Sequence, residues 1–268
     1  MNRKALLATT GAAAVLAATT LSACASDDDT LVVGATPEPH AKILEYIQDN
    51  LADDAGLKLE VKEFTEYTQV NPATESGDLD ANYFQTPQYL KDFNAKNHGD
   101  LVSVASVHVE PMAVYSKKVA SLDDVPSGAQ VSLPNDAANE ARALELLDAN
   151  GIIALSKNAG DLPTEDDITS NPRHLKFNPA DAANLPRTLD DSELAIINGN
   201  YAVEAGLKPS KALAIEKARH NPYSNDLVVP KKHAKDAQVK KLERLLTSDK
   251  VRAYIKSHFK DGSVLPVF

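Results

Sequence analysis

The chain has 268 residues, of which 43% are hydrophobic and 25% charged, and a formal net charge of −10 at pH 7. That length holds one large domain or two of ordinary size, with the composition of a soluble globular protein. The acidic balance argues against nucleic acid and against electrostatic binding to anionic lipid, and a single cysteine leaves no internal disulfide.

In chain order, Arg3 and Lys4 give a basic start and 5–21 an apolar run of Ala, Leu, Val and Thr. Leu21-Ser22-Ala23-Cys24 then supplies small residues before the one cysteine. Basic, apolar, small is the anatomy of a secretory signal, and the run is shorter and weaker than the ~20 apolar residues of a membrane span. Small residues before Cys24 resemble the bacterial lipobox. There the thiol takes a diacylglycerol and the preceding segment is removed. The expectation is a signal at 1–23, lipidation at Cys24 and a solvated acidic tether over 24–30; several acyl chains on one residue anchor stably. An ordinary signal with a chance cysteine is the alternative.

Order begins at 31–35, a short buried-strand pattern, and Pro37 and Pro39 mark a turn. Ile43, Ile47 and Leu51 recur at helical spacing, and Leu57, Leu59 and Val61 alternate as a half-buried strand. Strand, helix, strand at this spacing is a βαβ signature. Further strands are predicted at 80–84, 101–109, 112–115, 130–133, 194–197 and 226–229. Helices are predicted at 86–96, 136–150, 201–205, 239–246 and 251–255, with Gly151 and Gly206 as stops. Such alternation defines an α/β fold. No long linker divides the chain, so two domains would be joined by short crossing strands, best placed at 109–116 and 196–200.

Catalytic signatures are missing: there is no nucleophile elbow, no H-E-x-x-H, no P-loop and no dinucleotide glycine fingerprint. The seven histidines are scattered, none pairs at metal-ligand spacing, and no metal or cofactor is expected. Asp doublets at 53–54, 123–124 and 190–191 read as turns and helix starts.

Two features do point to a site. Among 8 Tyr and 6 Phe, the six at Phe64, Tyr67, Tyr83, Phe84, Tyr89 and Phe93 fall close together. Neighbouring strand residues face opposite ways, so one of Tyr83 and Phe84 can face a core and the other a cleft. The second feature is 133–142, Leu-Pro-Asn-Asp-Ala-Ala-Asn-Glu-Ala-Arg. A strand ends there and a helix starts, capped by Asn135 or Asp136. Asn139 and Arg142 lie three apart on one face, where free N–H groups and a forked guanidinium suit a carboxylate. The competing reading pairs Arg142 with Glu145.

Several collinear motifs carry a resemblance: GATPEPHAKIL (34–44), FTEYTQVN (64–71), GDLDANYFQ (77–85), VHVEPMAVYSKK (107–118), LPNDAANEARALELL (133–147), NPRHLKF (171–177), LPRTLDDSELAIINGNYAVEAGL (185–207) and NPYSNDLVV (221–229). Together they resemble the methionine-binding lipoproteins of ABC importers, the MetQ/NlpA type. The resemblance implies a periplasmic-binding-protein fold, two α/β lobes around a ligand cleft that closes about a hinge. The first lobe would hold 31–110 and 200–268 and the second 111–199. Arg142 would grip a ligand carboxylate, with Asn139 and Asn198 bonding its carboxylate and ammonium. Tyr67, Tyr83 and Phe84 would line the side-chain pocket, with His108 beside them. Two positions depart from the pattern: Thr86 stands where many relatives have His, and Gly199 where a polar residue is usual. The implied function is an extracytoplasmic, membrane-anchored receptor. It takes methionine, as either enantiomer or a close derivative, to an ABC permease without catalysis. The same fold with another amino acid or a Met-containing dipeptide, and a surface lipoprotein enzyme, are the alternatives.

Overall fold

Residues 30–268 are described in the computed structural model, so the expected signal, Cys24 and nearly all of the tether lie outside the described residues. The described residues open with β1 (Thr30–Ala35), α1 (Lys42–Asn50), α2 (Ala52–Ala55) and β2 (Lys58–Glu63). Then come α3 (Tyr67–Ser76), β3 (Ala81–Gln85), α4 (Pro87–Asn97) and β4 (Leu101–Val109). Next are β5 (Ala113–Tyr115), β6 (Gln130–Pro134), α5 (Ala137–Ala149), β7 (Ala154–Leu155), β8 (Ile168–Ser170) and β9 (Lys176–Ala180). These are followed by α6 (Leu185–Thr188), β10 (Leu194–Ile197), α7 (Gly199–Glu204) and β11 (Ala214–Ile215). The chain closes with β12 (Ser224–Pro230), α8 (Ala237–Leu246), α9 (Asp249–His258) and β13 (Leu265–Pro266).

Two principal sheets result, one ordered β13-β4-β12-β3-β1-β2 and the other β11-β5-β10-β6-β9. In the first, β1 runs parallel to β2 and β3, while β12 is antiparallel to both β3 and β4. In the second, β6 is parallel to β9 and β10, and β5 is antiparallel to β10 and β11. Each sheet has its own core. Ile43, Leu44 and Ile47 of α1 pack with Val33, Leu59, Leu227 and Leu242 on the first. Leu144 and Leu147 of α5 pack with Val131, Leu133, Leu194 and Ile196 on the second. Separate cores make two lobes, because each helix buries its apolar stripe on one sheet only.

The first crossing, 110–112, lies between β4 and β5, inside the expected 109–116. The second is displaced from 196–200. After β10 the chain forms α7, whose Tyr201 and Ala202 pack with Ala113, Tyr115 and Ile197 of the second lobe. β11 then pairs with β5 in the same sheet, so the return to the first lobe runs through 216–223. A two-residue strand carries no alternation for sequence to show. Two other elements also give no apolar signal. α3 is polar and contains Pro72. β9 is an edge strand carrying Pro179, with half-buried and exposed positions; an edge tolerates proline.

Candidate ligand-binding cavity

Where the lobes face each other, a cavity opens. Its first-lobe wall is made of rings. Tyr67 begins α3, Phe84 lies in β3, and Tyr89 sits in the first turn of α4. Their centroids form a near-equilateral triangle: Tyr67–Phe84 5.7 Å, Tyr67–Tyr89 5.9 Å and Phe84–Tyr89 5.7 Å. These tilted and edge-on contacts are favourable aromatic geometry. Thr86, one of the two departures, caps α4, its Oγ1 accepting from Tyr89 N at 3.3 Å. Its position therefore aims Tyr89 at the cavity.

The second-lobe wall is polar. Asp136 caps α5, its Oδ1 accepting from the backbone and side-chain nitrogens of Asn139 at 3.0 Å. That leaves Asn139 Oδ1 to accept from Asn198 Nδ2 at 2.8 Å. Asn200 Oδ1 accepts from the Tyr67 hydroxyl across the cleft. After these bonds, Asn198 Oδ1 and Asn200 Nδ2 have no hydrogen-bond partner, although the residues are only 4% and 2% exposed. Both residues line the cavity. Buried polar atoms are ordinarily paired, so an open acceptor and an open donor on two lining residues mark a place for a polar ligand. Gly199, the second departure, lies between them. A Cβ there would come 2.5 Å from Glu110 Cβ and 3.2 Å from its backbone. Glycine lets the start of α7 close on the first crossing.

Arg142 lines the cavity and is 4% exposed. Its partner is neither Glu145 nor open solvent. Nε donates to Glu216 Oε1 and Nη2 to Glu216 Oε2, both at 2.6 Å, and Nη2 also donates to the Glu110 carbonyl at 2.9 Å. Glu145 instead accepts from the hydroxyl of Tyr223, whose ring lies 4.3 Å from the guanidinium carbon. The forked edge expected to hold a ligand is thus occupied. Among the described residues Nη1 has no hydrogen-bond partner, and it is the edge left for a ligand carboxylate.

Tyr83 and His108, expected in the pocket, stand behind it. Both are 0% exposed and outside the cavity lining. Alternation sends Phe84 to the cleft and Tyr83 into the first-lobe core. The Tyr83 hydroxyl is hydrogen-bonded to His108 Nδ1, and His108 Nε2 meets Glu110 Oε1 at 2.6 Å. From the turn before α1, His40 brings Nε2 to 3.2 Å from the same oxygen and to 3.0 Å from Asn225 Oδ1, with Nδ1 2.7 Å from Thr36 Oγ1. Burial pushes His40 down to about 4, with Glu110 opposing, and His108 down to about 3. Both imidazoles are therefore neutral near pH 7. His108 then donates Nε2–H to Glu110 and His40 donates Nε2–H to Asn225, while each accepts a hydroxyl proton at Nδ1. Burial raises the Glu110 carboxyl, opposed by His40, Arg142 and the backbone N–H of Asn200.

This cluster corrects the reading of the histidines as scattered: ligand atoms of His40, His108 and Glu110 lie within 4.8 Å of one another. They have the chemistry of a divalent-metal site. A direct hydrogen bond joins His108 to Glu110, however, and both Nε2 atoms lie close to one carboxylate oxygen. Sequence spacing concealed the cluster because His40 is far from 108–110. Gln85, Tyr89, Glu110, Asn200 and Asn225 also line the cavity and were not singled out as site residues. The only advance signals were the aromatic clustering for Tyr89 and the crossing strand for Glu110.

Two lobes on separate cores, joined by short crossings around a cavity with an aromatic and a polar wall, define a periplasmic-type solute-binding protein. The family model described as NlpA lipoprotein matches residues 31–268, and the chain belongs to the NlpA lipoprotein family. The D-methionine-binding lipoprotein MetQ of Escherichia coli K12 is 40% identical over 236 residues, 87% of this chain and 86% of that protein. A solved nutrient-binding protein from Burkholderia cenocepacia bound to methionine is 40% identical with a TM-score of 0.86, covering 89% of this chain and 100% of that one. An ABC transporter periplasmic substrate-binding protein from Coxiella burnetii is 36% identical with a TM-score of 0.84, covering 88% and 100%. Among the described residues no helix is long and apolar enough to cross a membrane.

Proposed function

We propose that this protein is an extracytoplasmic receptor, anchored through acylated Cys24, that captures methionine and delivers it to an ABC importer. The observation that carries the reading is the pair of open valences, Asn198 Oδ1 and Asn200 Nδ2, on residues that line one cavity with Arg142. An acceptor suits the ligand ammonium, and the donors Asn200 Nδ2 and Arg142 Nη1 suit its carboxylate. The ring wall suits a thioether, which packs favourably on aromatic edges.

Charge agrees. Arg142 is already compensated by Glu216, so a ligand of zero net charge leaves no buried charge unpaired. Contacts on both walls make ligand favour the closed arrangement, which is how binding becomes a signal to a permease. The relatives named for methionine binding and for ABC transport support the same assignment. The site performs no chemistry in this reading.

Calorimetry on ligand-stripped protein tests it, with L-methionine, D-methionine, glycylmethionine and alanine as titrants. Methionine is expected to bind at least about a hundredfold more tightly than alanine, the tail supplying the difference through buried apolar area. Equal affinities, or no binding by any titrant, sink the reading. For the anchor, mass spectrometry of the mature amino terminus is expected to show acylated Cys24, and Cys24→Ser is expected to leave the membrane fraction.

A further inference from the structure

Glu216 receives more hydrogen bonds than a surface carboxylate needs. It lies on the second crossing, with its side chain 10% exposed. Oε1 accepts from Arg142 Nε at 2.6 Å. Oε2 accepts from Arg142 Nη2 at 2.6 Å, from Met112 N at 2.9 Å and from Asn221 Nδ2 at 3.1 Å. Met112 belongs to the first crossing, and its carbonyl accepts from Glu216 N at 3.0 Å. One side chain therefore ties the first crossing, the second crossing and the cavity arginine together.

We infer that Glu216 is a positioning residue for ligand recognition: it clamps the Nε–Nη2 edge of Arg142 so that Nη1 is presented to the ligand carboxylate, and it joins that grip to both interlobe crossings. This deepens the proposed reading of the cavity as an amino-acid site and rests on it. The guanidinium is planar, and a bidentate carboxylate on one edge fixes the direction of the remaining N–H groups. Stacking on Tyr223 and the Glu110 carbonyl hold the plane from two further sides. Without the clamp Arg142 keeps its charge but loses its aim. Because Met112 and Glu216 are bonded to each other in both directions, a ligand that pulls on Nη1 loads both crossings at once. That is the geometry a hinge needs in order to sense its ligand.

The test compares methionine with methioninamide, which lacks the carboxylate, on full-length wild type, Glu216→Gln and Glu216→Asp by calorimetry. Wild type is expected to prefer methionine strongly. Glu216→Gln is expected to lower methionine affinity roughly 10- to 100-fold, the value of a charge-assisted bond made properly, with methioninamide affinity changed by less than about threefold. The preference for carboxylate thus collapses. Glu216→Asp restores the charge on a shorter stem and is expected to recover part of that preference. It also keeps the test decisive should the Gln variant not fold. A preference unchanged in both variants, or raised because Glu216 competes with the ligand for Arg142, overturns the inference. Wild type that binds neither compound overturns the proposed function instead.

Discussion

The two walls of the cavity are built on opposite principles. The ring wall is an extension of a core: Phe84 packs with Val70 and Leu79, and Tyr67 and Tyr89 lean on it. Its rings are packed against one another and against that core, so they are satisfied with or without a ligand. The polar wall is a hydrogen-bond chain running from Asp136 through Asn139 to Asn198, and it ends on atoms with nothing to bond. Burying such groups costs free energy until a partner arrives. One wall therefore sets which tail fits, while the other waits for a head group and makes closure depend on it.

Acid treatment acts on the network behind both walls and carries the largest expected effect. His40 and His108 titrate far below the ordinary 6.5, at about 4 and about 3. As pH falls, the unfolded chain takes up these protons first. Their contribution is thus complete above about pH 6.5 and is lost as pH falls through the folded values, on the order of 3 kcal/mol per imidazole. The raised Glu110 carboxyl has the opposite sign and offsets part of the loss. Urea unfolding at about pH 7 and about pH 4.5 measures it; equal stability breaks the assignment of buried neutral imidazoles.

Arg142→Ala attacks the polar wall at its charge. Methionine affinity is expected to fall more than about a hundredfold, and stability by about 3 kcal/mol, because Glu216 is left buried without its cation. Calorimetry and thermal unfolding read the two losses separately. Phe84→Ala attacks the ring wall and inverts the balance. It is expected to cost about 3 kcal/mol of stability for a lost core ring but only about tenfold in affinity. If the two substitutions give the same ratio of binding loss to stability loss, the contrast between the walls is wrong.

Asn198→Ala sharpens the point about open valences. It removes an acceptor that has no protein partner, while freeing Asn139 Oδ1 from its bond. Stability is expected to move by less than about 1 kcal/mol and affinity to drop about tenfold. Smallest of all is Lys91→Ala. Lys91 reaches Asp161 across the cleft mouth at 2.8 Å, with both side chains largely exposed. Water and salt screen such a pair, so affinity is expected to change by no more than about twofold, and less at high salt.

How far the sequence could be read differs between the same regions. α1 and α5 were visible because their apolar residues repeat at helical spacing, and β10 because Leu194–Ile197 is an unbroken apolar run. α3 and β9 were not, since a polar helix and an exposed edge strand owe their form to neighbours and not to pattern. Phe84 and Arg142 could be singled out from an aromatic cluster and a helix start. Asn200 and Glu216 could not, because nothing local distinguishes them from surface polar residues, and Glu110 was marked only by its place on a crossing strand.

Sequence alone determined the α/β class, the two-lobe plan and the family, because periodicity and collinear motifs are properties of neighbours along the chain. Only the tertiary structure decided that Tyr83 and His108 stand behind the wall, that Glu216 occupies the fork of Arg142, and that the second crossing lies at 216–223. Those outcomes depend on contacts between residues far apart in the chain, such as Arg142 with Glu216 and His40 with Glu110. Which polar group finds which partner is settled by burial and packing, after the local elements have formed.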